Sequence, residues 1–103
     1  MTRQNAYQHV DIDDVRRDDP ELFSHRNRAA RDELTPGAHV KLLFDAGRDV
    51  PSEEMWVCVT ERFHGADGAT RYRGELRNDP LYIAAKWGEA SEFGPEHVVT
   101  IEP

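Results

Sequence analysis

The chain has 103 residues, of which 13 are Lys or Arg and 20 are Asp or Glu, giving a formal net charge of −7; 38% of its residues are apolar and 32% charged. That length closes one modest core and not two, and the negative field repels phosphate backbones and anionic headgroups while suiting a protein partner with a basic surface. One cysteine, Cys58, excludes an intramolecular disulfide framework and a multi-cysteine zinc site, and no apolar run is long enough for a signal peptide or membrane span, so a reducing, cytoplasmic location without membrane contact is expected.

Residues 1–19 alternate charged and small polar groups and offer only Tyr7, Val10, Ile12 and Val15 for burial. They read as a flexible N-terminal arm, with Tyr7 to Ile12 as a strand-like stretch that could dock on the body. Residues 20–103 then form a single β-rich domain with a leading helix between Pro20 and Leu34. Two start signals compete for that helix. Asp19 before Pro20 supplies a cap and a first-turn proline, and Asn27 supplies a cap before Arg28-Ala29-Ala30. Thr35-Pro36-Gly37 ends it.

From Ala38 the period changes to two. Val40, Leu42 and Phe44 face one side of a strand, with His39, Lys41 and Leu43 on the other. After the exposed connection Asp45 to Ser52, Met55, Val57, Val59 and Phe63 share the inner face of a second strand whose outer face carries Trp56, Cys58, Thr60 and Arg62. His64-Gly65-Ala66-Asp67-Gly68 is hairpin-turn chemistry, since Asp-Gly accepts positive φ. Thr70 to Arg77 returns antiparallel, with Tyr72, Gly74 and Leu76 inward and Arg71, Arg73, Glu75 and Arg77 outward. Asn78-Asp79-Pro80 breaks that strand. Leu81-Tyr82-Ile83 reads as a short buried segment and Trp87-Gly88-Glu89 as a turn. Ala90 to Phe93 is a short strand, Gly94 to His97 a turn or single helical turn, and Val98 to Ile101 the closing strand. Short strands with Gly and Pro turns predict a mainly β (α+β) fold, a small antiparallel SH3-like barrel or rolled sheet with one N-terminal helix.

Five of these segments, in order, form a set: Gly37-Ala38-His39-Val40-Lys41-Leu42, Met55 to Thr60, Gly74 to Pro80, Trp87-Gly88-Glu89 and Glu92 to His97. The set resembles an uncharacterised bacterial domain family with the ordered pattern GxxVKL, MWVxVT, GxLxNDP, YG[DE] and EFxPEHI, matched over roughly Thr35 to Ile101. Trp87 stands where the pattern has Tyr, and Cys58 where a charged residue is common. The resemblance implies a compact β domain, in part with immunity or toxin-neutralising roles, and carries no catalytic residues to transfer.

Candidate chemistry is sparse. His9, Asp11, Asp13 and Asp14 meet neither the calcium-loop nor the zinc template, so no metal site is expected and no cofactor is implied. Asn78, Asp79, Glu96 and His97 could converge at one end of the barrel for acid–base work, or serve as turn and cap residues. Cys58 lies mid-strand without an evident activator. Trp56 and Trp87 are second-layer packing or exposed anchors; an exposed Trp56 would lie beside Arg71 or Arg73, within reach of guanidinium stacking. The expected function is a non-enzymatic protein-interaction module, with Trp56, Arg71, Arg73, Asn78, Asp79, Trp87, Glu96 and His97 as candidate binding residues. The alternatives are an enzyme built on the His/Glu/Asp group and a weak single-stranded nucleic-acid binder, which the charge disfavours.

Overall fold

The computed structural model describes residues 7–18 and 28–102. Six strands, β1 (Gln8–His9), β2 (His39–Asp45), β3 (Glu53–His64), β4 (Thr70–Leu76), β5 (Ala90–Phe93) and β6 (Val98–Ile101), form one antiparallel sheet nearly closed into a barrel. Two short helices, α1 (Ile12–Asp18) and α2 (Arg28–Asp32), precede β2, and a 3-10 turn, Pro95–His97, joins β5 to β6. The sheet runs from β2 through β3 and β4 to β5, and β1 and β6 both pair with β2. A mainly β barrel with a leading helix is therefore what the chain forms.

Period-two alternation dictates this core. Val40, Leu42 and Phe44 of β2, Met55, Val57 and Val59 of β3, Tyr72 and Leu76 of β4, Phe93 of β5 and Val98 of β6 are all buried in one cluster. Gly74 of β4 lets strands and rings approach closely: a Cβ there would lie 2.5 Å from Val57 Cγ1 and 2.8 Å from Cys58 O. The β3–β4 hairpin turns where expected, with Gly68 at φ 84° and the Asp67 carboxylate accepting from the Ala69 amide.

Two expectations need correction, for Phe63 and for Leu81-Tyr82-Ile83. A bulge between Val59 and Glu61 reverses the side-chain parity of β3. Phe63 therefore pairs with Arg71 on the outer side and Arg62 pairs with Tyr72, rather than Phe63 continuing the inner row. Within the N-terminal arm, the Tyr7 to Ile12 stretch supplies β1, which docks on β2, and residues 12–18 form α1, with Ile12 buried. Asp11 explains α1: its carboxylate accepts from the Asp14 amide and its carbonyl from the Val15 amide, which is capping rather than metal chemistry. The leading helix is α2; the start signals at Asp19–Pro20 and Asn27 lie outside the described residues. Finally, of Leu81-Tyr82-Ile83 only Ile83 is buried.

Tertiary hydrogen bonds tie α2 to the barrel. Tyr72 donates its buried hydroxyl proton to the Arg31 carbonyl (2.6 Å) and accepts from the Leu34 amide (3.2 Å). Arg31, itself buried, donates through Nη1 to Asp13 of α1 and to the Pro95 carbonyl.

Candidate functional site

The β4–β5 connection, residues 77–89, carries Leu81, Tyr82 and Trp87, which are 81%, 58% and 57% exposed and are the exposed large hydrophobics among the described residues. An irregular loop would leave such side chains free to collapse, yet this one is pinned by its backbone. Glu53, at the start of β3, accepts the amide protons of Leu81 (2.7 Å) on one carboxylate oxygen and of Tyr82 (2.8 Å) and Ile83 (2.7 Å) on the other. Against the desolvation that opposes it, this triple donation holds the Glu53 carboxyl below its ordinary pKa. Ile83 anchors the loop in the core, and the Gly88 amide closes its base on the Leu76 carbonyl (2.7 Å), with Gly88 at φ 86°.

Asn78 and Asp79 open the same loop. The Asn78 side-chain carbonyl accepts from the Trp56 amide at 2.6 Å, extending the β3–β4 ladder past its last pair, and Asp79 is exposed. Trp56 is half-buried: Lys41 Nζ sits 4.9 Å from its ring centroid, and the indole lines a shallow groove of about 190 Å³ with His39, Arg77 and Glu102. Its cationic neighbour is thus Lys41, paired with it across β2 and β3, and not Arg71 or Arg73. Those arginines sit beyond the bulge, further along the hairpin. Arg73 packs over Phe63, with 5.1 Å from guanidinium to ring centroid, and pairs with Glu61 and Glu92, while Arg71 pairs with Glu96. Arg77 pairs with Glu75. Arg71, Arg73 and Arg77 therefore each face a carboxylate, which offsets the positive charge that a nucleic-acid reading would draw on.

Glu96 and His97 lie at the opposite end of β4 from Asn78 and Asp79. Seven residues of strand separate the two pairs, about 20 Å at the usual rise, so the four residues do not converge into the group that the enzyme alternative would use. Instead His97 belongs to a half-buried polar seam. Its Nδ1 accepts from the Gly94 amide at 2.9 Å, which fixes the neutral tautomer, and its Nε2 lies 3.7 Å from Glu96. Burial, then Arg71, depress the His97 pKa against the opposing pull of Glu96, Asp11 and Asp13. The partner ring is His9 of β1, 5.9 Å away centroid to centroid and packed against Phe44 at 4.7 Å. Burial first, then His97 and Arg71, bring His9 down to about 4.

His9 Nε2 and Ser91 Oγ are 3.2 Å apart, and Tyr7 donates its hydroxyl proton to Glu89 at 2.6 Å, so side chains rather than a backbone ladder bridge β1 to β5. Cys58 lies on the outer row of β3, opposite His39 and Glu75, with its thiol directed to the Val59 carbonyl.

Sequence reasoning found Trp87 and missed Leu81, Tyr82, Glu53 and His9 as site-forming residues. Pro80 was the available signal for Leu81 and Tyr82, because a segment that follows a strand break without alternation need not bury consecutive apolar side chains. Glu53 and His9 act through partners dozens of positions away, and no local pattern marks them. Among the described residues no cluster of His, Cys, Asp or Glu could hold a metal ion, and no helix is long and apolar enough to cross a membrane. Comparison with protein-family models, characterised proteins and solved structures finds no match to this chain.

Proposed function

We propose that this chain is a non-enzymatic protein-interaction module that presents the β4–β5 loop to a partner protein with a basic surface. The observation that carries the reading is the exposure of Leu81, Tyr82 and Trp87 on a backbone pinned by Glu53 at residues 81–83 and by the Gly88 amide beside Trp87. A loop ordered before binding loses little conformational freedom on docking, and Trp and Tyr are the residue types that most often anchor interfaces. The formal charge of −7 and the carboxylates of Glu54, Asp79 and Glu89 in and beside the loop supply the sign of the partner. An immunity or toxin-neutralising role belongs to the same reading, supported by the five ordered motifs alone.

The test pairs affinity capture with a loop variant. Wild-type protein and the double variant Leu81→Ser/Trp87→Ser are immobilised at low salt, and each protein retained by the first but not the second is purified and titrated against the free chain. The reading expects a basic protein that binds one to one, shifts Trp87 fluorescence to the blue and loses at least 10-fold in affinity against the variant, the cost of removing one good anchor. It fails if every captured protein binds both forms equally.

A further inference from the structure

The N-terminal segment 7–18 is attached to the barrel by few backbone bonds and a dense set of titratable contacts. β1 contributes two register pairs with β2, Gln8 with Asp45 and His9 with Phe44, and the Val10 amide donates to the Leu43 carbonyl. Among the described residues, the segment's further ties run through side chains, Tyr7 to Glu89, His9 to Ser91 and Asp13 to Arg31. His9 is packed among Tyr7, Phe44, Phe93 and His97, within one seam where β1 faces β5.

The imidazole is seated for its neutral form only. Ser91 Oγ is the hydrogen-bond neighbour of Nε2, while Nδ1 is buried with no partner. An added proton on Nδ1 would be a buried, unsatisfied donor on a cation. The second imidazole, His97, spends its Nδ1 lone pair on the Gly94 amide, so protonating it costs that bond as well. The charges that face the pair come from every element around it. Arg71 from β4 opposes a proton; Glu96 of the 3-10 turn and Asp11 and Asp13 at the start of α1 favour one on His97; Arg31 from α2 is engaged by Asp13; and Glu89, just before β5, is engaged by Tyr7.

We infer that segment 7–18 is an acid-released strap, latched across the β1–β5 seam by the neutral His9–His97 pair and let go when the pair takes up protons. Release would uncover the β5 edge, Phe44 and Phe93, which the docked segment covers. The sign follows from linkage. A histidine whose docked pKa lies near 4, against an ordinary 6.5 when undocked, favours docking fully above 6.5 and loses that contribution as pH falls from 6.5 towards 4.

Native-state amide exchange on the full chain tests the inference, with rates corrected for the intrinsic pH dependence and the Val10 amide as the principal probe. Between pH 7 and pH 4.5 the opening constant of residues 8–18 is expected to rise by about 50- to 100-fold. The β3–β4 ladder should stay protected. His9→Phe, which keeps an aromatic ring in the seam and cannot titrate, should reduce the rise to less than about 5-fold. The inference is overturned if wild-type residues 8–18 open no more at pH 4.5 than at pH 7, if they open only together with β3 and β4, or if His9→Phe opens like wild type. The wild-type profile decides the matter alone should that variant not fold. Because none of these readouts involves the β4–β5 loop, the strap and the loop reading stand or fall separately.

Discussion

The two ends of β4 solve opposite problems. At the Thr70–Arg71 end, titratable side chains are held by one another and by the core: Arg71 meets Glu96, His97 meets the Gly94 amide and His9 is enclosed by aromatic rings. At the Leu76–Asn78 end the polar groups serve the backbone. Asn78 and Glu53 accept main-chain amides, and three large apolar side chains are left outside. Burying titratable groups makes a region sensitive to protons, because neutralisation is the only cheap way to keep them there. Exposing apolar groups on a braced loop makes a region available to a partner. One seven-residue strand therefore separates a conditional surface from a permanent one.

The strand itself is the first thing to break. Gly74→Ala places a methyl group 2.5 Å from Val57 Cγ1, 2.8 Å from the Cys58 carbonyl and 3.2 Å from Phe93 Cε1. Two of those neighbours are core side chains and one is backbone, so none can yield as a flexible side-chain end would. A loss of about 3 kcal/mol is expected, at the upper end of ordinary overpacking costs, and both ends should lose definition together. Urea unfolding measures it, and a midpoint within error of wild type would mean that the barrel relaxes around this position. Tyr72→Phe acts on the inward end alone. It removes the hydroxyl that joins the Arg31 carbonyl to the Leu34 amide and leaves both without that partner, at a cost of about 2 kcal/mol. Amide protection should fall in 31–34 while the β4–β5 loop is unchanged.

Much of this architecture is legible in the sequence, and the reason is the period-two code. Val40, Leu42, Phe44, Met55, Val57, Val59, Tyr72 and Leu76 announce their face by alternation, and Asp67-Gly68 announces its turn. The reading slips where one residue breaks parity. Thr60 at the bulge moves Phe63 to the outer side, and with it goes the expected neighbourhood of Trp56, which finds Lys41 in place of Arg71 or Arg73. The candidate site is less legible still. Glu96–His97 and Asn78–Asp79 look alike as short polar pairs beside turns, and only the strand order reveals that they occupy opposite ends. His9 and Glu53 carry no local signature, because what defines them is a ring and three amides brought close by folding. Asp11 is a case of a legible cap obscured by its acidic neighbours, which invite comparison with a metal loop.

The smallest expected effects sharpen the outward end. Glu53→Ala deletes the acceptor of three amide protons, but the group is only partly buried, so solvent replaces much of what is lost and global stability should fall by only about 1 kcal/mol. The local consequence is larger than the global one. The Leu81, Tyr82 and Ile83 amides should lose their protection against exchange, while β3 and β4 keep theirs. The same carboxylate sets the pH response of the loop. Its folded pKa is depressed, so its contribution is complete above the ordinary carboxylate value and fades as pH falls through the depressed one. Trp87→Ser should change stability by less than about 0.5 kcal/mol, since the side chain is 57% exposed. Under the proposed function, a ring that contributes so little to the fold has its energetic use in binding. Were Trp87→Ser to cost several kcal/mol, the indole would be part of the barrel's packing and the outward end would lose its claim to be an interaction surface.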